Sequence, residues 1–241
     1  MATLYAGTSG FAYAQWKPDF YPEKLPATRF LEHYAGRLNS VEINYTFRRM
    51  PPGSTLENWV RATPRGFLFA VKAHQRITHV QRLKDAGTAT EIFLRAIDPL
   101  RATRRLGPVL FQLPPNLRAD TALLAEFLAQ LPGDVRYAFE FRHASWLTEA
   151  VYDLLGGHNV ALCLAEAERL QIPEVVTADF VYYRLRMPSY SEAELGRIGA
   201  RCEELLAAGK DVFVYFKHEE TPQGALYAES LLQRVRRGSR T

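Results

Sequence analysis

The sequence predicts a single TIM-type (β/α)8 barrel with a parallel eight-stranded core spanning residues 1–241, and three observations carry that reading. Eight short apolar runs recur, each rich in β-branched or aromatic residues, at 4–8, 41–47, 67–73, 109–113, 137–142, 160–166, 180–186 and 212–217. Between most of them lies a stretch with helical spacing, and strand alternating with helix implies a parallel sheet covered by helices. No composition break or linker divides the chain, and its 241 residues suit a barrel, which takes about 250. An open, doubly wound sheet is the alternative. Neither a Gly-x-Gly-x-x-Gly after the first strand nor a Gly-x-x-x-x-Gly-Lys-Ser/Thr loop supports it.

The elements follow in order. After the first strand, residues 9–25 form a long connection carrying Phe11, Tyr13, Trp16, Phe20 and Tyr21. Phe30, Leu31, Tyr34 and Leu38 then mark one face of a helix over 26–38. The third strand leads into a second long loop, 74–87, with Arg76, His79, Arg82 and Lys84. Leu123, Leu124, Phe127, Leu128 and Leu131 share a face of a helix over 121–131. A helix over 191–208 opens with Ser191 and Glu194 in capping-box spacing and closes at Gly209. Arg234, Arg236, Arg237 and Arg240 mark a basic, frayed tail over about 234–241.

Composition narrows the function classes. Hydrophobic residues are 47% of the chain, enough for a sizeable core. No apolar run approaches the roughly 18 residues needed to cross a bilayer. The start, Met-Ala-Thr-Leu-Tyr-Ala-Gly, has no basic leader region, so a cytoplasmic protein with no membrane partner is expected. Cys163 and Cys202 suit a reducing compartment, with Cys163 a small buried hydrophobe. A net charge of +4 gives little support to a nucleic-acid partner.

Strand parity separates barrel interior from helix layer. It sends Glu42 and Asn44, Lys72 and His74, Gln112, Glu140 and Arg142, Tyr182, Arg184 and Arg186, and Tyr215 and Lys217 inward. Each polar group lies in the C-terminal half of its strand, and in such barrels that rim is the functional face. Glu42, Lys72, Glu140, Arg142 and His143 are therefore the candidate catalytic residues. Thr8, Trp16, Asn44, His79, Gln112, Arg184, Arg186, Tyr215 and Lys217 are the candidate ligand-binding residues. A buried ion network that only shapes the core, with the loop around Trp16 as mere cover, is the structural alternative.

Several strings occur in order: Gly7-Thr8-Ser9-Gly10, Phe20-Tyr21-Pro22, Val41-Glu42-Ile43-Asn44, Ile77-Thr78-His79, Gln112-Leu113-Pro114-Pro115 and Glu140-Phe141-Arg142-His143 with Ser145-Trp146. In these the chain resembles the YecE-like family, domain of unknown function 72, over nearly its whole length. The resemblance implies a TIM-type barrel and no established reaction. It carries over Glu42, Asn44, Lys72, His79, Gln112, Glu140, Arg142, His143 and Arg184 as signature positions. Phe11, Arg186-Met187 and Lys217-His218 depart from the family pattern, the last two adding positive charge to the rim.

The leading expectation is an enzyme acting on a small sugar-like, anionic or phosphorylated compound. Glu140 is its general acid or base, and Arg184, Arg186 and Lys217 form a phosphate site beside a helix starting near Gly224. A metal-dependent phosphodiesterase or isomerase is a second reading, although no His-x-His or clustered ligand motif appears; no cofactor and no metal are predicted. A non-catalytic protein that binds a ligand or single-stranded nucleic acid is the third.

Overall fold

A computed structural model describes the backbone of residues 1–168 and 170–238, with side chains up to residue 235. Eight parallel strands form the barrel: β1 (Leu4–Thr8), β2 (Ser40–Ile43), β3 (Leu68–Lys72), β4 (Leu106–Gln112), β5 (Tyr137–Glu140), β6 (Ala161–Ala165), β7 (Phe180–Leu185) and β8 (Asp211–Phe216). They are hydrogen-bonded in the order β1-β8-β7-β6-β5-β4-β3-β2. Around them lie α1 (Phe30–Arg37), α2 (Gly53–Arg61), α3 (Gly87–Ala96), α4 (Asp98–Ala102), α5 (Thr121–Ala129), α6 (Glu149–Gly157), α7 (Glu192–Ala207) and α8 (Gln223–Gly238). None of these is long and apolar enough to cross a membrane.

The period-two pattern sorts the side chains. Leu110, Ala138, Cys163, Phe180, Tyr182, Phe213 and Tyr215 fill the barrel interior. Their neighbours Val109, Phe111, Phe139, Leu162, Leu164, Val181, Val212 and Val214 face the helices. Cys163 is fully buried there, and burial pushes its thiol up.

Three strand boundaries differ from the sequence reading by more than one residue. The second strand ends at Ile43, because Thr46 turns back and donates to the carbonyls of Ile43 (3.2 Å) and Lys72 (2.6 Å) in a 3-10 turn, Tyr45–Phe47. The fifth strand ends at Glu140, so Arg142 stands on the following loop. The fourth begins at Leu106, ahead of the expected start, and absorbs Gly107 and Pro108 as an irregularity in its register with β3. A Cβ on Gly107 would sit 3.3 Å from Ala70 N, so glycine suits this close approach.

The capping box of α7 forms as its sequence predicts, with Ser191 accepting from Glu194 N and Glu194 accepting from Ser191 N at 2.7 Å. Gly209, at φ 78, follows that helix. Ser191→Ala is expected to cost about 1 kcal/mol, read as a lowered unfolding midpoint in urea. The tail begins later than the composition suggests. Arg234 lies in α8 and pairs with Glu192 of α7, while Arg240 falls outside the described residues.

Two irregularities shape the barrel. Among the described residues no helix lies between β6 and β7; 166–168 and 170–179 form the connection as loop. Between β1 and β2 the ladder is reduced to one bridge, Ser9 to Glu42. Side chains complete that seam. Asn39 donates to Leu4 O (2.7 Å) and accepts from Ala6 N (2.9 Å). The Tyr34 hydroxyl accepts from Thr8 N (2.8 Å) and donates to Ser40 O (3.0 Å).

Candidate functional site

The C-terminal ends of β2, β3, β4, β5 and β7 bring Glu42, Lys72, Gln112, Glu140 and Arg184 into one layer at the barrel mouth. Arg184 is its centre. Its guanidinium donates through one nitrogen to Glu42 Oε1 (2.8 Å) and through the other to Glu140 Oε2. All three side chains are buried, with 3%, 0% and 1% exposure. Glu42 is further fixed by Ser9 Oγ (2.7 Å), Asn44 Nδ2 (3.0 Å) and the Tyr182 hydroxyl (2.7 Å). Glu140 accepts from Arg142 Nε (3.0 Å) and from Arg186 (3.0 Å to each oxygen).

Burial alone would raise both carboxyls, but the cations outweigh it. Arg184, with its hydrogen bonds, holds Glu42 below its ordinary value. Arg184, Arg186 and Arg142 together hold Glu140 well below the carboxylate range. Lys72 goes the other way. Its ammonium donates to Gln112 Oε1 (2.7 Å) rather than to a carboxylate and lies 4.1 Å over the Phe47 ring. Burial, then the charge of Arg184, brings it down to about 8. His79 is also lowered, by burial and then by Lys72, Arg142 and Arg82.

Two donors here, the Nε groups of Arg184 and Arg186, are buried without an acceptor, against one acceptor, Asn44 Oδ1, without a donor. A cleft of about 1040 Å³ opens beside Glu140, Arg142 and Arg186. It runs outward past Leu164, Tyr183 and Leu185 to the loop that replaces the missing helix. Among the described residues no group of three or more His, Cys, Asp or Glu side chains could hold a metal ion.

The profile described as "Protein of unknown function DUF72" matches residues 5–241. The chain belongs to the DUF72 family. The YecE-like name suggested by its motifs is that of the same family. A DUF72 structure from Thermotoga maritima is 29% identical, with a TM-score of 0.84, and the alignment covers 97% of this chain and 99% of that one. Another from Enterococcus faecalis is 18% identical with a TM-score of 0.78, covering 98% of each chain. The UPF0759 protein YunF of Bacillus subtilis is 29% identical over 156 residues, 62% of this chain. That match spans 54% of YunF, about half its length.

The DUF72 barrel brings Glu42, Lys72, Asn44, Gln112, Glu140, Arg142, Arg184 and Arg186 to one mouth, with His79 beside them across Phe47, and gives the other candidates different roles. His143 uses Nδ1 to accept from Ser145 N (3.1 Å), capping a short turn, Ala144–Trp146. His79 sits on a π-helical turn, Arg76–Val80, edge-on to Phe47. Trp16 is fully buried, donating to Glu219 O (3.1 Å) and packing on Phe20 and Tyr21, so it is core and offers no face to a ligand. Thr8 is likewise buried, donating to Gly10 O (2.6 Å). Tyr215 lies in the barrel interior against Ser40 Oγ (2.6 Å).

The phosphate site expected at strands seven and eight does not assemble. Arg184 is taken up by two carboxylates, and Lys217, half exposed, faces Glu219 at 3.8 Å. The cations gather instead over strands three, five and seven. Sequence reasoning missed Ser9, Tyr182 as a carboxylate donor, and Glu166. Glu166 accepts from Met187 N (3.0 Å), Arg186 N and the Tyr190 hydroxyl, and so anchors the end of β7. Its place at the end of the sixth apolar run was the available signal.

Proposed function

We propose that this DUF72 barrel is an enzyme that binds a small anionic compound, phosphorylated or carboxylated, at its C-terminal rim and moves a proton there through Lys72. One observation carries the reading: Arg142, Arg184, Arg186 and Lys72 gather at the mouth, and the carboxylates that ion-pair with them, Glu42 and Glu140, number only two among the described residues, with Arg184 joining both. The surplus charge and the spare donors are what an anion's oxygens neutralise. Glu140, expected from the sequence as the acid or base, is too firmly ionised to donate a proton and too weak a base to abstract one. Lys72, at about 8, titrates where a general base is effective. Glu42 and Glu140 then hold Arg184 and Arg186 in place, with Arg142 and Arg186 as the anion's direct partners.

Calorimetric titration with inorganic phosphate and with a sugar phosphate tests this. Arg142→Ala and Arg186→Ala should each weaken binding by roughly ten- to hundredfold, the value of a charged hydrogen bond. Wild-type affinity should fall as pH rises through about 8, because Lys72 loses its charge, and Lys72→Met should flatten that slope. Equal affinity in the arginine variants, or no binding by wild type, removes the reading.

A further inference from the structure

The missing helix changes what the mouth can hold. Every other pair of consecutive strands is joined through an α-helix; among the described residues β6 and β7 are not. There Leu164, Tyr183 and Leu185 line a cleft whose other wall includes Leu170 and Ile172 of the connecting loop. Ile172 and Met187 pack only partly against the core, and with Leu170 they give the cleft apolar walls on both sides. At its inner end the same cleft is lined by Arg142, Arg186 and Glu140. One continuous cavity therefore joins a cationic end to an apolar trough.

The acidic residues along this trough are engaged elsewhere or solvated. Glu166 holds the backbone of Arg186 and Met187. Glu174 accepts from the Tyr183 hydroxyl (2.9 Å) and from Arg201 (2.5 Å), and Glu168 is exposed. None of them turns toward Arg142. The trough is also large: about 1040 Å³ matches the upper end of ligand pockets, roughly 300–1,000 Å³. A bare phosphate would leave most of it as wet apolar surface.

We infer that the ligand is amphipathic: an anionic head on Arg142 and Arg186, and an unbranched or prenyl-like hydrocarbon tail lying in the trough between β6, β7 and the loop residues Leu170 and Ile172. The inference rests on the anion reading above and extends it to a ligand class. The ligand is taken up as a soluble monomer, its head entering where Arg142 and Arg186 line the cavity.

The probes are ethyl, hexyl and decyl phosphate below their micellar concentrations, titrated calorimetrically against the full chain. Affinity should rise about fourfold for each methylene that is buried, up to the length that fills the trough. Leu170→Asp and Ile172→Asp, both in the loop and only partly buried, should abolish the gain with chain length and leave ethyl phosphate binding unchanged. Circular dichroism confirms that each variant is folded; should either be unfolded, Met187→Asp takes its place. Equal affinity for all three phosphates overturns the tail site while the anion site stands. No binding of any phosphate overturns the anion reading itself. Co-sedimentation with anionic phospholipid vesicles, without binding of monomeric decyl phosphate, overturns the soluble-ligand assignment.

Discussion

Arg184→Met should destabilise the protein by about 3–5 kcal/mol in urea unfolding, since it strips the shared cation from two buried carboxylates. A domain has only about 5–15 kcal/mol to lose. Glu42 bears the greater part of the damage. Glu140 keeps Arg142 and Arg186, whereas Glu42 makes no other ion pair among the described residues. The pH dependence separates this cause from simple loss of packing. In the wild type both carboxyls are held below their unfolded values, so their contribution is present above about pH 4.3 and is lost as pH falls further. In the variant Glu42 is buried without its cation, its pKa rises, and stability should improve on acidification, so the two curves converge in acid. Adding Glu42→Gln to the variant should restore much of the loss near pH 7. A loss that is the same at every pH would show that Arg184 acts by filling space.

The second large effect is expected from one added methyl group. A Cβ on Gly7 would lie 1.9 Å from Ser40 O and 2.7 Å from the Tyr34 hydroxyl. Gly7→Ala must therefore push β1 away from β2 and break the bonds that Tyr34 makes to both strands. The cost is about 3 kcal/mol, at the upper end for an overpacked site, which lowers the melting temperature by roughly 6–12 °C. Gly36, in α1, has nothing within 4 Å of a built Cβ. Gly36→Ala should stabilise by about 1 kcal/mol. Calorimetric melting of the two variants side by side checks both, and a neutral Gly7→Ala would mean that the seam yields without loss.

The strands were legible because a buried parallel strand needs an unbroken apolar run, and because parity alone assigns Glu42, Gln112, Glu140 and Arg184 to one side. Where local chemistry competes with the ladder, the reading drifted: Thr46 curtails β2, and Gly107 with Pro108 hid the start of β4. The site was legible in position but not in wiring. A sequence shows that carboxylates and guanidiniums share a rim; it does not say that Arg184 will divide itself between two glutamates and leave Lys72 to an amide. Tyr34 reads as one more apolar residue on a helix face, although its hydroxyl joins two strands. The absence of a helix between β6 and β7 was legible only weakly, in the lack of helical spacing over 166–179 and in Pro173.

The pairing of β1 with β8 has a consequence for synthesis on the ribosome. Thr3 N meets Asp211 across 208 residues, and each residue from Leu4 to Thr8 has its partner between Val212 and Phe216. On its other edge β1 has a single bridge to β2. The first strand to be translated thus finds its main partner only when the last strand emerges, on the order of ten seconds or more later at 5–20 residues per second. For that interval its edge stands open, and the barrel cannot close before β8 has emerged.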